Sequence, residues 1–223
     1  MANKSPFKFF TRLHLSELTG RKATNLLQLL THLKRVPGSS IYHHTHRFLQ
    51  IHQYLSPEPP NDFGYWVTEF LGESELGEKL TSIDTLQFST IRSLRMEIIK
   101  TIESYIREHP KALQKFVSPG QEFHFLKSRS FVLPTKYEAI TLKEFAGILK
   151  KISINSIYFH IFEARLRQGK GINDFSSWIE DSIGYRELAD KIASLDPYTR
   201  TMEDLRRTLV EIIEEKISKE GKI

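Results

Sequence analysis

The sequence predicts a mainly α fold of two homologous helical subdomains. About five helices make up each, an internal duplication relates them by a pseudo-two-fold axis, and a minor short β ribbon joins them. Three observations predict it. The chain spells Ser40-Ile41-Tyr42-His43-His44 and later Ser156-Ile157-Tyr158-Phe159-His160. It spells Asn61-Asp62-Phe63-Gly64-Tyr65-Trp66 and later Asn173-Asp174-Phe175-Ser176-Ser177-Trp178, so both tryptophans hold one matched position. Apolar residues recur at helical spacing around these blocks in both halves. A two-copy period of about 115 residues lies far outside the 20–50-residue range of stacked solenoid repeats.

The elements follow in order. Phe7-Lys8-Phe9-Phe10 alternates like a short strand, Glu122-Phe123-His124-Phe125-Leu126 repeats it, and Phe131-Val132-Leu133 marks another short strand before Pro134. Leu26, Leu29, Leu30 and Leu33 make a helix that stops at Pro37-Gly38. Leu142, Phe145 and Leu149 make its counterpart, opened by a Thr141/Glu144 capping box. The next helix starts near Ser39 or Ser40, carries His44, Phe48, Ile51 and Leu55, and ends at Ser56-Pro57-Glu58-Pro59-Pro60. Its copy carries His160, Ala164 and Arg167 and turns at Gly169-Lys170-Gly171. Asp62 and Asp174 stand at N-cap positions, and Gly72 and Gly184 suit left-handed helix ends. Short helices through Leu76 and Leu80, and through Leu188 and Ile192, precede a long amphipathic helix in each half. The boundary falls near Ser118-Pro119-Gly120, dividing the chain into 1–118 and 119–223.

These matched blocks, with Gly-x-x-Glu-Leu-x-x-Lys-[Leu/Ile]-x-Ser-[Ile/Leu]-Asp after them, resemble the prokaryotic domain-of-unknown-function family 5752. The segment from Ser156 to Arg167 carries the resemblance most strongly. The resemblance covers nearly the whole chain. It implies no activity and brings no catalytic residues, so the functional reading rests on the residues themselves.

Composition narrows the classes. The chain has 39% hydrophobic and 26% charged residues, ordinary for a soluble globular protein. No run approaches the ~18 consecutive apolar residues of a membrane span, so no membrane partner is expected. The N-terminus lacks the apolar core of a secretory signal, and zero cysteines remove disulfides and thiolate chemistry; a cytoplasmic address fits, although missing cysteine is also compatible with export. The net charge of +5 is unevenly spread, with basic residues dominating up to residue 57 and acids dominating from 58 to 84. Such segregation is what two complementary faces of one fold would carry.

Four residues are the candidate ligand-binding positions: Tyr42 and His44, with their copies Tyr158 and His160. Facing one another across a groove between the repeats, they would hold an anion, a planar ligand or, in the richest case, haem iron between two histidines. The alternative is that each ties its helix to its own subdomain by a buried hydrogen bond. The cluster His43, His44, His46 and His52, with Asp62, suggests a metal-assisted hydrolase, although its spacing collects no i, i+4 ligand pair as zincin helices do. Basic residues from Lys4 to Arg35 suggest nucleic-acid binding, but they lack interleaved aromatics and a helix-turn-helix pattern. No phosphate loop, dinucleotide fingerprint or serine elbow occurs, so no cofactor is expected. The sequence therefore reads as a non-catalytic cytoplasmic protein that binds an unknown protein or small-molecule partner in the groove.

Overall fold

The structure is a computed structural model that describes residues 5–48, 61–164, 167, 172–195 and 201–220. Ile51 to Pro60, His52 and Gly169-Lys170-Gly171, which figure in the sequence reading, lie outside the described residues.

The chain forms two compact units. The central unit is His14–Arg129, and the terminal unit combines Met1–Leu13 with Ser130–Ile223. Two antiparallel strands, β1 (Phe7–Ala23) and β2 (Phe123–Ala139), pair with each other as a two-stranded sheet. Their register sets Lys8 beside Glu138 in the terminal unit and Lys22 beside Glu122 in the central unit.

The central unit adds α1 (Leu26–Leu33), α2 (Gly38–Tyr42, running into a π-helical turn at His43–Arg47), α3 (Asp62–Glu69), α4 (Ser74–Thr81) and α5 (Ile91–Glu108). The terminal unit adds α6 (Leu142–Leu149) and α7 (Ile154–Tyr158, continued by a π-helical turn at Phe159–Glu163). It continues with α8 (Asp174–Trp178, followed by a π-helical turn at Ile179–Ile183), α9 (Arg186–Ala193) and α10 (Met202–Glu220). No helix among the described residues is long and apolar enough to cross a membrane.

Each core follows from the apolar stripes. In the central unit Leu94, Ile98 and Ile102 of α5 are buried against Leu29 and Leu33 of α1, with Phe123 and Phe125 of β2 in the same cluster. In the terminal unit Leu205, Leu209 and Ile213 of α10 join Phe145 and Leu149 of α6, with Phe7 and Phe9 of β1. Fully burying one such side chain is worth about 1.5–3 kcal/mol, so these stripes carry most of each unit's stability. The expected capping box opens α6, where Thr141 accepts from Glu144 N and the Glu144 carboxylate accepts from Thr141 N. Gly72 and Gly184 hold left-handed φ values of 68° and 86° that end their helices, as their spacing predicts. Gly64 of α3 and Gly77 of α4 allow a close approach, since a Cβ on Gly77 would lie 1.8 Å from Thr68 Oγ1.

The fold class predicted from sequence is corrected in two respects. The β ribbon is neither minor nor short, because the fragments read as separate strands are parts of two 17-residue strands. Only their ends alternate buried and exposed residues. The middle, where Leu15, Leu18, Phe131 and Val132 are all exposed, buries His14 and Ser128 but no apolar side chain, and so leaves no period-two hydrophobic signal. Pro134 is accommodated because a two-stranded sheet consists of edge strands. The units are also not two consecutive helical subdomains divided at 118. Each is an α+β unit that takes its inward-facing strand phenylalanines from the far side of that boundary: Phe7 and Phe9 pack with helices beyond residue 140, Phe123 and Phe125 with helices before residue 109.

Candidate functional site: a histidine–aspartate clamp in each unit

In the central unit the π-helical turn after α2 directs the His44 imidazole inward, where it is fully buried. Its Nδ1 lies 2.6 Å from the Asp62 carboxylate. Its Nε2 accepts the backbone N–H of Leu126 on β2 at 2.9 Å. Ser40, one helical turn earlier, donates its hydroxyl to Leu126 O at 2.6 Å. A single strand residue thus has both backbone groups held by one helix. Trp66 on α3 donates its indole N–H to Gln121 O at 2.7 Å.

The terminal unit makes the same contacts with other residues. His160 Nδ1 lies 2.8 Å from Asp174, and its Nε2 accepts the Phe10 N–H at 2.8 Å. Ser156 donates to Phe10 O at 2.6 Å, and Trp178 donates to Ser5 O at 2.8 Å. Phe7 packs edge-on against Trp178 as Phe123 does against Trp66.

The geometry fixes the chemistry of both rings. A backbone N–H can only donate, so each Nε2 is an unprotonated acceptor and each Nδ1 carries the proton shared with aspartate. An aspartate–histidine pair of this kind serves as general base in hydrolases only when Nε2 faces a nucleophile. Here a strand amide occupies that nitrogen. Burial holds the His160 pKa below the usual imidazole range, and the Asp174 carboxylate opposes that shift without cancelling it.

Beyond the shared contacts the surroundings differ. Asp174 also receives the Arg167 guanidinium at 2.5 Å, and Arg167 covers the Phe159 ring at 3.9 Å. Arg12 reaches the buried Glu163 carboxylate at 2.8 Å. Around His44 the neighbours are imidazoles instead. The His43 ring lies 5.1 Å from His44 and its Nδ1 2.9 Å from Ser128 Oγ; burial, together with His44, lowers its pKa to about 4. Tyr42 stacks on both His14 and His46.

The four residues singled out from sequence therefore separate into two buried pairs, Tyr42 with His44 and Tyr158 with His160, each within its own unit. The Tyr42 hydroxyl lies 3.3 Å from His14 Nε2, and Tyr158 stacks on Phe162 at 4.6 Å. Sequence reasoning missed the histidine–aspartate pairs, because Asp62 and Asp174 were read as N-caps. The caps are Asn61 and Asn173, which accept from Gly64 N and Ser176 N. Two adjacent capping residues where a helix needs one was the available signal.

His43, His44 and His46 each hydrogen-bond to a hydroxyl, a carboxylate or the backbone, and His52 lies outside the described residues. Among the described residues, the side chains spaced to hold a metal ion are Glu75, Glu108 and His109, all exposed. Lys79 already lies 2.8 Å from Glu75 and 3.6 Å from Glu108, so a resident cation occupies that position. Of the basic residues from Lys4 to Arg35, Lys8, Arg12, Lys22 and Lys34 are each ion-paired with an acid of their own unit.

The model of the Family of unknown function (DUF5752) matches residues 4–214. The chain belongs to this family. Among solved structures, this DUF5752 protein is similar to OrfY from Thermoproteus tenax, with 29% sequence identity and a TM-score of 0.79 over 96% of this chain and 97% of that one. No curated protein matches it.

Proposed function

We propose that this DUF5752 protein is a non-catalytic cytoplasmic protein that acts by binding a partner or small regulatory ligand. The observation that carries this reading is the saturation of its best candidate catalytic groups. His44 and His160, each paired with an aspartate, spend their basic nitrogen on a strand amide. A general base must reach the proton it removes, and neither ring nitrogen is open to a substrate. The clamps tie helix to strand within each unit, and recognition falls to other surfaces. The absence of cysteine from the sequence is consistent with a reducing compartment.

The test is a thermal-shift screen of the full chain against phosphorylated metabolites, nucleotides and organic acids, with each hit incubated and analysed by mass spectrometry. A compound that raises Tm in a saturable way and is recovered unchanged supports the reading. A compound that the protein converts at a rate proportional to protein concentration overturns it.

A further inference from the structure

The two units carry one arginine each in the same local role, and among the described residues only one of the two has a carboxylate. In the terminal unit Arg206 of α10 donates to the carbonyls of Leu149 and Ile152, at 2.9 and 2.8 Å. Its Nε and Nη2 face the two carboxylate oxygens of Glu203, at 2.8 and 3.3 Å. In the central unit Arg95 of α5 donates to Val36 O at 2.8 Å. Three residues before it, where Glu203 stands relative to Arg206, is Arg92. Arg95 Nε is buried without a hydrogen-bond partner; the alignment at Arg206 Nε is also too poor for a hydrogen bond, but Glu203 lies 2.8 Å from it, whereas among the described residues no carboxylate pairs with the Arg95 guanidinium. Burial lowers the Arg95 pKa, with no opposing charge to restore it.

This guanidinium lines a cavity of about 530 Å³ shared with Lys34, Arg92, Ile91, Met96 and Ile99. Glu103, at its rim, is committed to Lys34 at 2.6 Å. The cavity therefore offers two uncompensated guanidiniums beside an apolar floor, with Met96 left 56% exposed. A half-buried guanidinium is stabilised by a planar two-oxygen acceptor, and Glu203 supplies one in the terminal unit. We propose that the central-unit cavity binds a small organic anion, a carboxylate or phosphate ester with an apolar body, whose oxygens take the place that the Glu203 carboxylate takes beside Arg206. The volume lies in the range of small-ligand sites. This deepens the binding reading above and rests on it.

The experiment is calorimetric titration of the full chain with phenyl phosphate, benzoate, inorganic phosphate and benzyl alcohol at low salt. Phenyl phosphate or benzoate should bind saturably, about 5-fold or more tighter than inorganic phosphate, with benzyl alcohol showing no saturable binding. Arg92→Glu should rebuild the internal pair, weaken binding by ~10-fold or more, and leave Tm equal or higher. The reciprocal Glu203→Arg should add a second binding equivalent. Which anion wins tells a phosphate ligand from a carboxylate one. Equal affinity of wild type and Arg92→Glu, or no saturable binding up to about 10 mM of either organic anion, overturns the proposal. Equal binding of inorganic phosphate overturns its organic half. Turnover of a screened compound would instead sink the non-catalytic reading and leave this site standing.

Discussion

The two clamps share their hydrogen bonds and differ in what surrounds them. His160 and Asp174 sit among permanent charges, with Arg167 on the aspartate and Arg12 on Glu163 close by. His44 and Asp62 sit among imidazoles instead: His43, whose pKa burial lowers to about 4, with His14 and His46 also buried. Asp174 has a second partner, the Arg167 guanidinium, and a side chain 18% exposed, whereas Asp62 is 29% exposed with His44 on it. One contact pattern thus serves two electrostatic settings: a terminal unit whose clamp is reinforced by guanidinium and a central unit whose clamp lies beside the acid-sensitive His43. Because each unit carries one tryptophan, Trp66 or Trp178, fluorescence of Trp66→Phe and Trp178→Phe backgrounds reads the units separately.

The largest effect should come from deleting an imidazole. His44→Ala leaves the Leu126 N–H buried without an acceptor and Asp62 without its donor, a loss of roughly 3–4 kcal/mol. His160→Ala should cost less, roughly 2–3 kcal/mol, because Asp174 keeps Arg167. Urea unfolding followed by tryptophan fluorescence measures both. Equal losses would remove the distinction between the clamps, and losses below about 1 kcal/mol would remove the clamps as stabilising features.

The next effect is acid sensitivity of the central unit. His43 has a folded pKa of about 4 against an ordinary 6.5, so the native state binds its proton less readily than the unfolded chain. Its contribution is whole above pH 6.5 and is lost as the pH falls toward 4, by at most about 3 kcal/mol. His32 in the same unit is also shifted down by burial, and His160 contributes in the same direction to the terminal unit. The urea midpoint reported by Trp66 should therefore fall more between pH 7 and 5 than that reported by Trp178, in the order of about 1 kcal/mol. His43→Gln should narrow that gap. An unchanged gap in this variant would take His43 out of the explanation.

The smallest effect is Arg167→Met, which removes a partly exposed ion pair from Asp174 and should cost about 0.5–1 kcal/mol in the terminal unit alone. Its diagnostic is salt: the wild-type terminal unit should lose more stability than the variant between low and about 0.5 M salt. The same salt response in both would assign no role to the pair.

What was legible beforehand follows from these contacts. The helices were readable because each buries an apolar stripe at regular spacing, and Ser40, His44 and Trp66 stood out because their counterparts recur. The long strands were not, since Leu15, Leu18 and Phe131 to Leu133 lie exposed in a stretch that buries no apolar side chain. Nor was the crossing of strand ends between compact units, because nothing in Phe7 or Phe9 says which helices they will meet. The histidine–aspartate pairs join residues 18 and 14 positions apart through a turn, a distance that no local periodicity reports. Arg95, without a carboxylate partner among the described residues, was invisible for the same reason: its meaning lies in Arg92 standing where Arg206 finds Glu203.

The central claim, that both imidazoles are structural ties with their basic nitrogen consumed by a strand amide, is tested most directly by nitrogen-15 spectroscopy of the histidine side chains at about pH 7.5. The account predicts that His44 and His160 are both in the Nδ1–H tautomer, with an unprotonated Nε2 coupled across a hydrogen bond to the Leu126 and Phe10 amides. A protonated Nε2, or the averaged shifts of a freely exchanging ring, would contradict it.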